Sequence, residues 1–189
     1  MSWEGESWDE EVPPSVGVAL PVDFQGFHEL YAVPYLRYAY LHLGSRREAE
    51  HLVGCVFVEL ALHWPYVKQQ ETSEGFGWEV LKQLVGERLQ ELGRGSALVE
   101  MASFSAALRA PRGQFEVLES KMGLYAAIWR LPERQSDVMV LRYLLGYPEA
   151  WAARLLGITG AAVRSHVRHA KRRLIVELGI AQTAKGDGE

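Results

Sequence analysis

The segment from Leu131 to Leu174 constrains the fold of this chain more than any other stretch. Its apolar residues recur at helical spacing in three successive runs. Pro132 stands at the start of the first run, Gly157 separates the second from the third, and Thr159 is placed to cap the third. The sequence therefore predicts a helix, a shorter helix, a tight turn and a final helix, which is the layout of a helix-turn-helix.

The same segment concentrates positive charge in an otherwise acidic protein. Between Arg130 and Arg173 there are nine Lys and Arg residues against three Asp and Glu residues, whereas the whole chain has a formal net charge of −4. A basic region of this kind is typical of a surface that binds a polyanion. An ordinary three-helix bundle with a solvated basic face is the alternative. We favour DNA binding because the Ala153, Gly157 and Val163 spacing meets the packing requirement of a helix-turn-helix.

The third helix of this segment divides into a buried and an exposed face. Its predicted buried stripe is Val163, Val167, Ala170 and Leu174. The N-terminal half of such a helix enters the major groove, where side chains reach base edges. The residues predicted to face the bases are Ala161, Ala162, Arg164, Ser165 and Arg168. Lys171, Arg172 and Arg173 follow as predicted phosphate contacts.

The N-terminal half of the chain also predicts helices. Aromatic and leucine residues recur at helical spacing from Phe27 to Tyr38, and Pro34 is expected to kink this helix. Ser45 to Glu48 reads as a capping box. An apolar stripe follows it, and a further helix is predicted over 78–92. The stripe consists of Ala49, Leu52, Val53, Val56, Phe57, Leu60 and Trp64.

These patterns predict an all-α protein with two small helical domains joined by a flexible linker, the C-terminal domain being a helix-turn-helix. We expect an acidic disordered tail over 1–23, a first helical domain over 24–95 and a linker over 96–113. The helix-turn-helix domain is expected over 114–180 and a short tail over 181–189. The segment 1–23 has six acidic residues and no positive charge, which excludes a signal peptide and a basic nucleic-acid arm. Such a segment would bind a basic surface or mask the basic region of its own chain.

Two segments resemble RNA polymerase sigma factors of the extracytoplasmic-function group. LPERQSDVMVLRYLLGYPEAWAARLLGITGAAVRSHVRHAKRRL (131–174) is similar to the promoter-recognition domain of that group. FHELYAVPYLRYAYLHLGSRREAEHLVGCVFVELALHW (27–64) is similar to its polymerase-binding domain. The resemblance implies binding to promoter DNA and to the clamp helices and flap of core RNA polymerase. It adds an anti-sigma protein as a candidate partner and implies a cytoplasmic, non-enzymatic protein.

The resemblance also assigns roles to particular residues. It places Arg164, Ser165 and Arg168 at bases and Thr159, His169, Lys171 and Arg172 near phosphates. It places a polymerase-binding surface at Glu50, His51, Gly54, Cys55 and Glu59.

The family usually has Asp, Gln and Glu at the positions that match His51, Gly54 and Cys55. This difference leaves three hypotheses open. They are a sigma factor, a sigma-like regulator that binds DNA without polymerase-dependent initiation, and a protein that sequesters a partner through its N-terminal domain.

Other candidate sites are weaker. The six histidines form no His-Glu-x-x-His frame and accompany a single cysteine, so no metal site and no cofactor are predicted. Cys55 is expected to be a packed thiol. Trp64, Tyr66, Phe76 and Trp78 either stack on unpaired bases or fill a helical core. No nucleophile–base pair is present in the sequence, and no apolar run has the length of a membrane span.

Overall fold

A computed structural model describes residues 20–93 and 123–178, and within these ranges the regular structure is entirely helical. This confirms the predicted all-α class. The linker, the C-terminal tail and most of the acidic tail fall outside the described residues, so the predicted domain boundaries stay predictions. The first range contains helices α1 (Val22–Leu43), α2 (Arg46–Leu62), α3 (Trp64–Val67) and α4 (Ser73–Glu91). In the second range residues 123–129 are helical. They are followed by α5 (Glu133–Met139), a π-helical turn (Val140–Leu144), α6 (Glu149–Leu156) and α7 (Gly160–Glu177).

Helices α1 and α2 form an antiparallel pair joined by a short turn. Pro34 lies inside α1 and is buried. Gly44 ends α1 with φ of +70°, a left-handed conformation that glycine adopts without steric cost. The Ser45 hydroxyl then accepts a hydrogen bond from the Glu48 backbone N–H at 3.4 Å. This interaction confirms the predicted start of α2.

An aromatic core holds the first described part of the chain, residues 20–93, together. Trp64 and Trp78 are 4% and 0% exposed, and Tyr35 stacks on Phe57 with ring centroids 5.5 Å apart. The two tryptophans therefore fill the core and are unavailable for stacking on bases. Tyr66 is 56% exposed and lies in edge contact with Phe76, with ring centroids 5.8 Å apart. The apolar stripe predicted from Ala49 to Trp64 is buried at each of its positions. Its last residue, Trp64, lies at the start of α3.

Helix α4 begins five residues earlier than the predicted Trp78. Thr72 caps it, because its hydroxyl accepts a hydrogen bond from the Gly75 N–H at 3.2 Å. The first turn of α4 contains Gly75 and Gly77, which are poor helix formers. Both glycines are buried. A Cβ at Gly77 would lie only 2.6 Å from the Tyr35 hydroxyl, so a larger residue would not fit there. Close packing therefore explains the extension of the helix over these residues.

The two described parts pack directly against each other. Helix α6 lies across the start of α4, where a Cβ at Gly157 would be 2.9 Å from the Gly75 Cα. The ring of Tyr31 in α1 is in edge contact with Trp151 in α6, with centroids 6.2 Å apart. The buried apolar residues of both parts accordingly form one continuous cluster. This contact was not predicted from the sequence.

An ion-pair cluster lies at the same interface. The Lys82 ammonium in α4 contacts Glu79 at 3.0 Å, Asp137 at 3.1 Å, and Glu133. Arg134 pairs with Glu79 at 2.8 Å. The side chains of Lys82 and Asp137 are 8% and 4% exposed. Burial raises the pKa of Asp137 to about 6, against the opposing effect of the Lys82 charge.

No helix in the described ranges combines the length and the apolar character that a membrane-spanning helix needs.

Candidate nucleic-acid interface

The turn between α6 and α7 sets the direction of the last helix. Gly157 ends α6 with φ of +62° and ψ of 33°, in the left-handed region. The Ile158 N–H donates to the Ala153 carbonyl at 2.9 Å. This bond satisfies a carbonyl in the last turn of α6, as in a Schellman motif. The Thr159 hydroxyl accepts from the Ala162 N–H at 3.1 Å and caps α7. These contacts confirm the predicted turn and cap.

The inner face of α7 holds the helix on the rest of the C-terminal part. Val163, Ala170 and Leu174 are 1%, 0% and 5% exposed, as the helical period predicted. Val167 is only half-buried, since it lies towards the edge of this face. The predicted stripe is therefore correct at its centre, and it leaves the opposite face of α7 free.

The residues predicted to face bases lie on or beside the free face. Ala161, Arg164 and Arg168 are exposed, whereas Ala162 and Ser165 are half-buried. Positions 161, 164, 165 and 168 share one side of the helix because they are three, four and seven residues apart. The structure thus places these positions on one accessible side of α7, and the individual base contacts stay predictions.

Arg164 is restrained by a carboxylate that the sequence did not single out. Its guanidinium donates to Glu149 at the start of α6. Glu149 also lies against the first turn of α7, since a Cβ at Gly160 would be 2.8 Å from its Oε1. Binding of a base by the Arg164 guanidinium would therefore compete with this ion pair.

The predicted phosphate contacts are all exposed. Among the described residues, no carboxylate forms an ion pair with Arg168, Lys171, Arg172 or Arg173. The Lys171 Nζ lies 5.0 Å from the centroid of the Tyr143 ring. Thr159 is also exposed, although its hydroxyl is used as the helix cap.

His169 is turned back along the helix. Its Nδ1 lies 2.9 Å from the Ser165 carbonyl oxygen, so this ring nitrogen is satisfied within α7. Only its other ring nitrogen is left for a phosphate.

A shallow groove runs beside these cations, between α7 and the π-helical turn. Its volume is about 450 Å³. The apolar lining comes from Tyr143, Val163, Val167 and Ile175, and the basic lining comes from Arg142, Arg164, Arg168, Lys171 and Arg172. One carboxylate, Glu149, also lines the groove, where it pairs with Arg164. We call this the basic groove. The sequence identified most of its cations but not Tyr143, because its position depends on the π-helical turn.

The residues predicted to bind polymerase form a single stripe on α2. Glu50, His51, Gly54, Cys55 and Glu59 are all exposed. The Cys55 sulfur lies 3.9 Å from the His51 Nε2. The prediction of a packed thiol was wrong, because Cys55 falls on the outer side of α2.

No group of three or more His, Cys, Asp or Glu side chains within residues 20–93 and 123–178 is arranged to hold a metal ion.

Comparison with known proteins supports the assignment of the C-terminal part. Residues 121–174 match the family described as "Sigma-70, region 4". A solved structure of the sigma factor RpoE in complex with the anti-sigma factor NepR from Bartonella quintana is similar over 85% of this chain and 99% of that chain. The sequence identity is 17% and the TM-score is 0.43. No curated protein matches the chain.

Proposed function

We propose that the chain, whose residues 121–174 match the sigma-70 region 4 family, is a sigma factor that directs core RNA polymerase to specific promoters. The observation that carries the proposal is the match of this segment together with its described helix-turn-helix, whose α7 presents a free basic face. In this function α7 binds the upstream promoter element. The protein would act in the cytoplasm and leave the chemistry of RNA synthesis to the polymerase.

DNA recognition divides between two sets of side chains on α7. Ala161, Ala162, Arg164, Ser165 and Arg168 would lie at base edges. Of the two arginines Arg168 is the better placed, because it has no ion-pair partner among the described residues. Thr159, His169, Lys171, Arg172 and Arg173 would lie at phosphates. Base contacts confer sequence preference, whereas phosphate contacts confer affinity that falls with salt.

Polymerase binding is proposed for the stripe on α2. Exposure of Glu50, His51, Gly54, Cys55 and Glu59 supports this assignment, because none of the five has to be uncovered before a partner can contact it. The partner surfaces proposed on the polymerase are the clamp helices and the flap. An anti-sigma protein is a further candidate partner for the same surfaces.

A second candidate function is a regulator that binds DNA without initiating transcription. The observation that favours it is the composition of the α2 stripe, in which His51 and Cys55 stand where the resembled family has acids and Gly54 stands where it has an amide. A Cβ at Gly54 would meet no other group within 4 Å. Such a stripe offers fewer hydrogen bonds to a partner helix than the family pattern offers.

One experiment separates the two functions. Purified protein is mixed with core polymerase, bound complexes are isolated, and DNA selected from a genomic library by the mixture is transcribed in vitro. A sigma factor gives a stable complex and initiation at the selected sites. A regulator selects the same DNA without polymerase and initiates nothing.

Two variants test the division of roles on α7. Arg168→Ala should weaken binding to the selected promoter by about 1–3 kcal/mol while changing nonspecific binding much less. Lys171→Ala should weaken all DNA binding alike and flatten its dependence on salt. An Arg168→Ala protein with unchanged sequence preference would contradict the base-contact role.

A further inference from the structure

The acidic segment, residues 1–19, is the part of the chain whose chemistry best complements the basic groove. It contains Glu4, Glu6, Asp9, Glu10 and Glu11 and no Lys, Arg or His. Trp3 and Trp8 stand among these acids. The segment thus combines concentrated negative charge with two large aromatic side chains.

The basic groove offers the matching features. Its cations at positions 168, 171 and 172 have no carboxylate partner among the described residues. Beneath them the ring of Tyr143, which is 48% exposed, and the side chains of Val167 and Ile175 form an apolar floor. Phosphate contacts use the cations and leave an apolar floor unused. An acidic peptide with aromatic residues can use both.

The chain is long enough for the contact to form within one molecule. Nineteen residues can span up to about 60 Å when extended. A globular protein of this length has a radius of gyration of about 16 Å. The segment can therefore reach any face of the described parts from Leu20, and tethering gives it an effective concentration of the order of millimolar.

We propose that the acidic segment binds the basic groove of its own chain and competes there with DNA. The contact screens the cations of α7 until a nucleic acid with higher affinity displaces the segment. This inference concerns the regulation of the DNA-binding surface and rests on the proposed function for its biological meaning. Because the contact is ionic, salt weakens it together with DNA binding.

The first test measures DNA affinity with matched charge variants of the full chain. Asp9→Asn, Glu10→Gln and Glu11→Gln together remove three acids from the segment. Glu29→Gln, Glu71→Gln and Glu87→Gln remove three exposed acids elsewhere that form no ion pair among the described residues, and they change the net charge equally. With a mixed-sequence duplex at low salt, the first variant should bind about three- to tenfold more tightly than the control variant.

The second test detects the contact without DNA. A nitroxide label is placed at Ser7→Cys in a Cys55→Ser background, which leaves one thiol because Cys55 is the sole cysteine. The label should broaden amide resonances of α7 at low salt. The broadening should disappear when the three acids at positions 9–11 are neutralised.

Each outcome bears on the proposal. A label that broadens no α7 resonance overturns it, even if the acid variant binds DNA more tightly, since general electrostatics would then explain the affinity. Broadening that persists when the nitroxide and the isotope label are carried by different molecules in a mixed sample means that a second copy is the occupant, and it overturns the same-chain contact. If α7 is broadened but the protein selects no DNA and binds no polymerase, the contact stands and the proposed function fails.

Discussion

Replacing Gly157 by Ala tests how closely the two described parts approach each other. Gly157 has φ of +62°, and a Cβ there would lie 2.1 Å from the Thr72 Oγ1 and 2.9 Å from the Gly75 Cα. Both neighbours belong to the first part of the chain. The substitution therefore affects the local turn and the contact between α6 and α4 at the same time.

The two effects have separable magnitudes. A left-handed conformation costs an L-residue about 1–2 kcal/mol. Forcing an extra carbon into a closely packed contact costs about 1–3 kcal/mol more. Gly157→Ala should therefore destabilise the protein by about 2–5 kcal/mol. Part of that cost arises because the backbone of α4 has to move away from α6.

Gly146→Ala is the matched control. Gly146 has φ of +74°, similar to Gly157, but a Cβ there would meet nothing within 4 Å. This substitution should cost only the conformational term, about 1–2 kcal/mol. The difference between the two variants isolates the contact between the parts.

Urea unfolding of both variants gives the two free energies. Hydrogen exchange at the first amides of α4 reports whether the interface has opened, and it should accelerate in Gly157→Ala alone. Equal destabilisation by the two substitutions, with unchanged exchange in α4, would refute the close approach of Gly157 to Gly75.

Three further predictions concern charged and titratable groups. Glu149→Gln should strengthen DNA binding about two- to fivefold, because it releases Arg164 from an exposed ion pair worth about 0.2–1 kcal/mol and removes a repulsive charge near phosphates; weaker binding in a salt titration would contradict this. Burial lowers the pKa of His42 to about 4, so its neutral form contributes stability above pH 6.5 that is lost as the pH falls towards 4. The stability advantage of wild type over His42→Asn should then shrink by about 2 kcal/mol between pH 8 and pH 5 in urea unfolding. Lys82→Met should cost about 3–5 kcal/mol at pH 7, where it removes the partner of the buried Asp137 carboxylate. It should cost distinctly less at pH 5, where Asp137, with a pKa of about 6 beside Lys82, is already protonated in the wild type; an equal cost at both pH values would show that Lys82 acts without Asp137.

Local signals explain why the helix-turn-helix was predictable. The left-handed Gly157, the Thr159 cap and the buried face of α7 each depend on residues within a few positions of one another. The same holds for the Ser45 cap and the apolar stripe of α2. Sequence patterns predict such features because a cap, a glycine turn and a helical periodicity are each defined by neighbouring residues.

The start of α4 was not predictable for the opposite reason. Gly75 and Gly77 argue against a helix on intrinsic propensity. In the structure their missing side chains allow Gly157 and Tyr35 to approach closely. Tertiary packing therefore overrides the local preference, and its partners lie far away in the sequence.

The candidate sites likewise combine features that neighbouring residues predict with features that depend on residues far away in the sequence. The exposed cations of α7 could be identified from helical periodicity alone. The pairing of Arg164 with Glu149, the Lys82 cluster and the position of Tyr143 could not, because they depend on how α5, the π-helical turn and α6 are placed. The assigned roles on α2 and α7 stay predictions, since exposure alone does not identify a partner.

The placement of these surfaces has a consequence for their independence. The contact between the two parts uses α1, α4, α5 and α6, whereas the stripe on α2 and the outer face of α7 are both exposed. Polymerase and DNA could therefore bind without first separating the two parts, unless either partner also needs the covered start of α4. Gly157→Ala decides between these cases, because it loosens the covered contact without changing a side chain on either exposed surface. If promoter binding and polymerase binding are unaffected by it, the two surfaces act as they stand. If either becomes tighter, the contact between the parts restrains function, and opening of α6 from α4 is a step in forming the complex.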